Sequence, residues 1–220
     1  MAQVFGEPSP SALPPWVTRV LATILLALAA ELGYYAAHRL AHRVPLLWRY
    51  HQLHHSANAL TPLTGLREHP IDLLLFGNLI GFSVGLGGAL FAYPLGAGVD
   101  GYFLSQTNIL LFAYALTLAN LRHTHLWLPF TGLAGHLFQS PAHHQLHHSR
   151  DPAHYDRNFG YALAVFDMMF GTLLVPRERQ ALRFGLVDTT ADPSVQDFYI
   201  GPFETARAEP RALREAEPPA

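Results

Sequence analysis

The sequence has no cysteine and no lysine. Without cysteine there is no disulfide, thiolate zinc site, cysteine nucleophile or cysteine-ligated iron–sulfur cluster. Charge is scarce as well. Only 14% of the 220 residues are charged, against about 25% in an ordinary soluble domain. The 14 arginines are outnumbered by 16 acidic residues, for a formal charge of -2. That balance lacks the basic stripe expected of a nucleic-acid binder, so no nucleic-acid partner is expected. What the chain does have is apolar residues, 50% of the total, and 14 histidines, most of them clustered. Its length suits one domain, or one domain with a tail.

The apolar residues fall in long runs. Leu73 to Val99 carries no formal charge, and after Asp100 neither does Gly101 to Leu121. Both approach or exceed the roughly 20 apolar residues that a helix needs to cross a bilayer. Tyr93 to Gly101, rich in Gly and Pro, reads as the hairpin between them. A further candidate span, the first along the chain, runs from Trp16 to Ala37, interrupted by Glu31, which is costly against lipid and tolerable in a polar interior. The first ten residues carry no basic charge, so this span reads as retained rather than cleaved. Arg39, Arg43, Arg49 and Arg67 follow the first span; Arg122, Arg150 and Arg157 follow the third. The positive-inside rule then puts the N-terminus and the hairpin outside, and both histidine-rich segments and the C-terminus on the cytoplasmic side. The expected fold is an all-α integral membrane bundle of about three to four spans, with a cytoplasmic histidine-rich helical cap. Residues 1–15 read as an N-terminal extension and 16–176 as the membrane-embedded domain. Residues 177–220 read as a cytoplasmic C-terminal segment, disordered after about 203.

Three histidine groups have ligand spacing. His38 and His42 form H-x-x-x-H, while His51, His54 and His55 form H-x-x-H-H, as do His144, His147 and His148. Helical positions i, i+3 and i+4 share a face, so each group is expected to aim its imidazoles at one point. Imidazole suits iron, zinc, copper and nickel. One ion takes about four to six donors. Eight histidines in three groups, with His69, His123 and His125 in reach, are too many for one ion and about right for two. His143 competes with its neighbour His144. His144 repeats the spacing of His51 ahead of its pair and is preferred, which leaves His143 as a supporting or surface residue. His136 stands alone in a Gly-rich connection and reads as structural.

The stretch from His38 to Ser56, with its two histidine groups, resembles the fatty acid hydroxylase/sterol desaturase superfamily. So do Arg67-Glu68-His69-Pro70, Ser140-Pro141 through Ser149, Asn158-Phe159-Gly160, and Phe166-Asp167-Met168-Met169-Phe170-Gly171-Thr172. The resemblance runs from about Glu31 to Pro176. It implies a histidine-ligated di-iron oxygenase acting on a lipid C–H bond with dioxygen, with zinc a possible substitute in purified protein. Many members carry His-x-Asn where this chain has His123-Thr124-His125. His123 matches the family histidine, and His125 replaces the Asn. The expected ligands are thus His38, His42, His51, His54, His55, His123, His144, His147 and His148, with His69, His125 and His143 left open. Glu31, Asp156, Asn158 and His154 are candidates for orienting the ligand rings from behind. There is no room for a fused reductase domain, so a separate donor, such as a ferredoxin or a cytochrome with its reductase, is expected to supply electrons.

Other readings compete. A membrane metal transporter, or a metal-binding protein with histidine-rich cytoplasmic segments, would place ionisable groups near the bilayer midplane. Between Leu73 and Leu121 the only such residue is Asp100. A haem protein needs fewer histidines, and a zinc hydrolase of the H-E-x-x-H type lacks its motif here.

Overall fold

The computed structural model describes residues 13–92, 101–186 and 200–201. The expected hairpin, apart from Gly101, lies outside these residues, as do most of the N-terminal extension and the segment after 203. The described chain is mostly helical. Helix α1 (Pro15–Arg43) leads into α2 (Pro45–His55), a 3-10 turn (Pro62–Leu66) and α3 (Pro70–Ala92). A two-stranded antiparallel hairpin follows, β1 (Phe103–Leu104) with β2 (Thr107–Asn108). Then come α4 (Ile109–Arg122), α5 (Gly132–Leu137), α6 (Pro141–His147), a second 3-10 turn (Pro152–His154) and α7 (Val165–Met169).

Proline sets the break that matters most. Pro45 disfavours helical backbone at the residue before it, and Val44 is extended at φ -97, ψ 113. The chain therefore turns between His42 and His51, and α2 starts afresh with Pro45 in its first turn. Helix α1 and helix α3 pack closely. A Cβ on Gly33 would lie 2.7 Å from both Ile80 Cα and Leu79 O, so only glycine permits this approach.

Two helices are long and apolar enough to cross a membrane, Pro15–Arg43 and, within α3, Pro70–Leu90. In their most apolar windows α1 is 56% buried and α3 only 11%. An apolar helix so little covered by its own protein is not the core helix of a soluble domain.

The third stretch departs from expectation. It is helical only from Ile109, because residues 103–108 form the hairpin, with Ser105 and Gln106 both at positive φ as a two-residue hairpin turn requires. Asn108 then caps α4 by accepting from Leu110 N. Tyr102 N and Asn108 Nδ2 donate to Thr23 Oγ1 and Thr23 O, each at 2.8 Å. That places the hairpin against the N-terminal half of α1, about 20 Å from His38 along the helix axis. Helix α4, bent into a π-helical turn at Ala115–Ala119, then returns the chain to Arg122 beside Tyr34 and His144. Both histidine-rich segments thus meet at one end of the bundle.

Candidate metal centre

Helices α1, α2 and α6, with the segment after α4, bring nine imidazoles together in two adjoining groups. His38, His42, His51, His55 and His147 form one; His54, His123, His144 and His148 form the other. Within each group the candidate ligand atoms lie within 4.8 Å of one another. The groups abut, with the His55 and His148 rings stacked at 4.3 Å.

Each H-x-x-H-H motif serves both groups, which corrects the expectation that a motif aims at one point. Positions i and i+4 are about 40° apart around a helix, whereas i+3 lies about 60° to the other side. Accordingly His51 and His55 join the first group and His54 the second. His144 and His148 join the second, and His147 the first. The two hexapeptides exchange one histidine each.

The donor set fits metal. His42 Nε2, His51 Nε2, His55 Nε2 and His147 Nε2 are buried without a hydrogen-bond partner. Leaving so many polar atoms unpaired would be costly unless something binds them. In the second group the Nε2 atoms crowd one another, at 3.1 Å (His54 to His123), 2.8 Å (His123 to His144) and 3.0 Å (His144 to His148). Burial holds six of these imidazoles, those of His54, His55, His123, His144, His147 and His148, in the neutral, ligating form. The His147 and His123 values are pushed down to about 3, and those of His54, His55, His144 and His148 lie well below the ordinary range.

Main-chain carbonyls orient two of the rings. His38 Nδ1 donates to Phe159 O and His147 Nδ1 to Arg157 O, each at 2.8 Å. Each bond fixes the proton on Nδ1 and leaves Nε2 free. The loop that supplies these carbonyls is held by Asp167. This fully buried carboxylate accepts from Phe159 N and Gly160 N (2.8 Å each), Gln139 Nε2 (2.7 Å) and Thr172 Oγ1 (2.6 Å). Phe159, also fully buried, packs its ring against His38, His42 and His147.

The residues expected to orient ligand rings act otherwise. Glu31 accepts from Ala162 N and Leu163 N at 3.0–3.1 Å, so it steadies the carbonyl loop and makes no bond to a ligand ring. Asn158 bonds His143 O and both polar groups of Leu174, at 2.8–3.0 Å, again through main chain. Asp156 lies 3.5 Å from Arg43 Nε, and His154 lines a cavity beside Leu173 and Val175. Neither bonds a ring of the two groups, although Asp156 lines a cavity with His42, His55, His147 and His148. A short side chain at positive φ, as at Asp156 and Asn158, turns its own backbone sharply, so the neighbouring carbonyls reach the rings instead.

The open positions separate too. His143 is fully buried rather than at the surface. Its Nε2 donates to Gly135 O at 3.0 Å, and its Nδ1 accepts from Ser140 N at 3.2 Å, completing a capping box on α6. His69 Nδ1 accepts from Ile71 N at the start of α3. His125 and His136 are exposed. None of the four belongs to either group.

Two residues beside the rings were missed in the sequence. Asp72 Oδ2 lies 3.6 Å from His51 Nδ1. Arg122 Nη2, on a buried side chain, donates to His144 Nδ1 at 2.9 Å. In the sequence Asp72 only heads an apolar run and Arg122 only closes one, so nothing local marks either as a neighbour of the rings.

Two apolar or mixed spaces adjoin this architecture. One cavity of about 480 Å³ is lined by His42, His55, His147 and His148 together with Trp48 and Tyr155. The other, of about 360 Å³, lies between α1 and α4, with Ile24, Leu28, Leu111 and Leu118 among its walls and Glu31 at its side.

With this geometry in place, comparison with known proteins is decisive. The fatty acid hydroxylase family matches residues 23–172, which span all nine imidazoles and the Asp167 anchor. The chain belongs to that family. Among its relatives is an ornithine lipid hydroxylase of Rhizobium tropici, 33% identical over 76% of this chain and 46% of the relative. Another is a very-long-chain aldehyde decarbonylase of Oryza sativa, 34% identical over 78% of this chain and 27% of the relative. An alkylglycerol monooxygenase of Xenopus tropicalis is 30% identical over 70% and 31% respectively. The matches thus span less than half the length of each of these relatives. No solved structure matches it.

Proposed function

We propose that this protein is a membrane-embedded oxidoreductase that uses dioxygen to hydroxylate, or otherwise oxidise, a C–H bond of a lipid. The observation that carries the reading is the convergence of nine imidazoles, seven of them on buried residues, into two adjoining groups. His38, His42, His51, His55 and His147 would hold one iron, and His54, His123, His144 and His148 the other. Bound there, the two ions supply the electrons that activate dioxygen. The rest falls to the chain. Phe159 and Trp48 pack over the imidazoles of the first group. The carbonyls of Phe159 and Arg157 keep two ligand nitrogens aimed inward.

Lipid as the substrate class is supported by the named relatives, a lipid hydroxylase, an alkylglycerol monooxygenase and an aldehyde decarbonylase. It is also supported by the sparsely covered α3 and by the apolar cavity between α1 and α4. In this reading α1, α3 and the segment containing α4 cross or enter the bilayer, and the histidine end faces the cytoplasm. A separate ferredoxin or cytochrome delivers electrons, and zinc replaces iron in some preparations. The test joins elemental analysis of the detergent-purified chain to lipid profiles of cells with and without it. Two ions per chain, and an oxidised lipid that disappears with His55→Ala, are expected. A haem absorption band, or an unchanged lipid profile, would overturn the proposal.

A further inference from the structure

The charges behind the two imidazole groups are as unequal as the groups themselves. Behind the five-histidine group stand acceptors. Phe159 O and Arg157 O take protons from His38 and His147. Asp72, buried and with its Oδ2 lacking any hydrogen-bond partner, faces His51 Nδ1 at 3.6 Å. Behind the four-histidine group stands a cation. Arg122 is 3% exposed and bonds His144 Nδ1 at 2.9 Å. Its other direct contacts are neutral: Gly160 O, Tyr34 Oη and the faces of the Tyr34 and Tyr161 rings, while Glu31 and Glu68 feel its charge from farther away. No carboxylate lies at ion-pair distance from it among the described residues.

An acceptor behind an imidazole makes the ring a better donor to metal. A guanidinium in the same place does the reverse. By donating to Nδ1 it leaves the neutral ring's proton on Nε2, where a ligand needs a lone pair, and its charge repels a dication through a poorly screening interior. Resting on the two-metal reading above, we propose that the two positions bind metal with unequal affinity. The five-histidine position is the tight one; the four-histidine position, opposed by Arg122, loads last and empties first. Arg122 and Asp72 are thus positioning residues that set the order of loading.

The test strips the detergent-purified full chain with a chelator and titrates it with Co²⁺, reading heat and metal per chain. Two phases of one ion each are expected, separated by about 10–100-fold, the range that residues behind ligands command. Arg122→Gln should tighten the second phase about tenfold and leave the first unmoved. Asp72→Asn should weaken the first by a similar factor. Should Arg122→Gln fail to fold, ligand variants read the same assignment: His148→Ala should retain the tight ion and His42→Ala only the weak one. Two ions of equal affinity would overturn this inference alone, as would two phases indifferent to Arg122 and Asp72, or the reverse pattern in the ligand variants. A wild-type chain that never takes more than one ion would overturn the two-metal reading itself.

Discussion

Asp167 touches no imidazole, yet its removal should empty the centre. Its carboxylate satisfies four buried donors, Phe159 N, Gly160 N, Gln139 Nε2 and Thr172 Oγ1. Asp167→Ala orphans all four, and an unsatisfied buried group costs about 1–3 kcal/mol. The sum, at least about 4 kcal/mol, is a large part of the 5–15 kcal/mol that keeps a typical domain folded. Asp167→Asn is milder. One oxygen still serves Phe159 N and Thr172 Oγ1, and Gln139 flips its amide to meet the new NH2, which leaves only Gly160 N stranded. That is about 1–3 kcal/mol, or roughly 2–10 °C in apparent Tm for a chain of this size. Thermal unfolding and metal content of both detergent-purified variants provide the assay. Asn should fold, melt lower and lose part of its metal, because the stranded Gly160 N loosens the loop whose Phe159 O orients His38. Ala should accumulate poorly and carry no metal. If Ala matched wild type in Tm and metal content, the argument that this anchor positions the carbonyl loop would be wrong.

Other outcomes follow from the same geometry. His54→Ala, His55→Ala, His147→Ala and His148→Ala should each lower metal per chain without unfolding the protein, as elemental analysis with circular dichroism would register. His136→Ala should change neither, since that ring is exposed and bonds only Gly132 O in its own helical turn. His143→Ala should instead destabilise, by about 2–4 kcal/mol in melting experiments, because it strips a fully buried side chain and half of a capping box. The metal-stripped protein should weaken in mild acid. Burial lowers His123 and His147 to about 3 and His143 to about 4, so the unfolded chain, titrating near 6.5, binds more protons throughout that interval. Their contribution is complete above about pH 6.5 and falls away toward pH 4, by about 1 kcal/mol for each ring at pH 5.5. An apparent Tm that stayed flat from pH 7.5 to 5 would contradict this.

Eight of the nine imidazoles were legible because ligand spacing is local. H-x-x-x-H and H-x-x-H-H place rings on a helix surface whatever the rest of the chain does, and Pro45 marks where α1 must give way to α2. The resemblance added His123, which no spacing argument singled out. Apolar length likewise marked α1 and α3, since the number of consecutive apolar residues is a property of sequence alone. Tertiary structure decided the rest. Whether His54 joins His51 or His148 depends on how α2 and α6 face each other, and the 100° that separates neighbouring helical residues sends His54 and His55 to different groups. The third stretch looked like an uninterrupted span because Ser105 and Gln106 give no turn signal; contacts to Thr23 hold the hairpin there. Asp72, Arg122 and Asp167 lie 21, 22 and 8 residues from the His51, His144 and Phe159 groups they face. A charge reaches a ring through space, so its sign and its partner become readable only once the chain has folded back on itself.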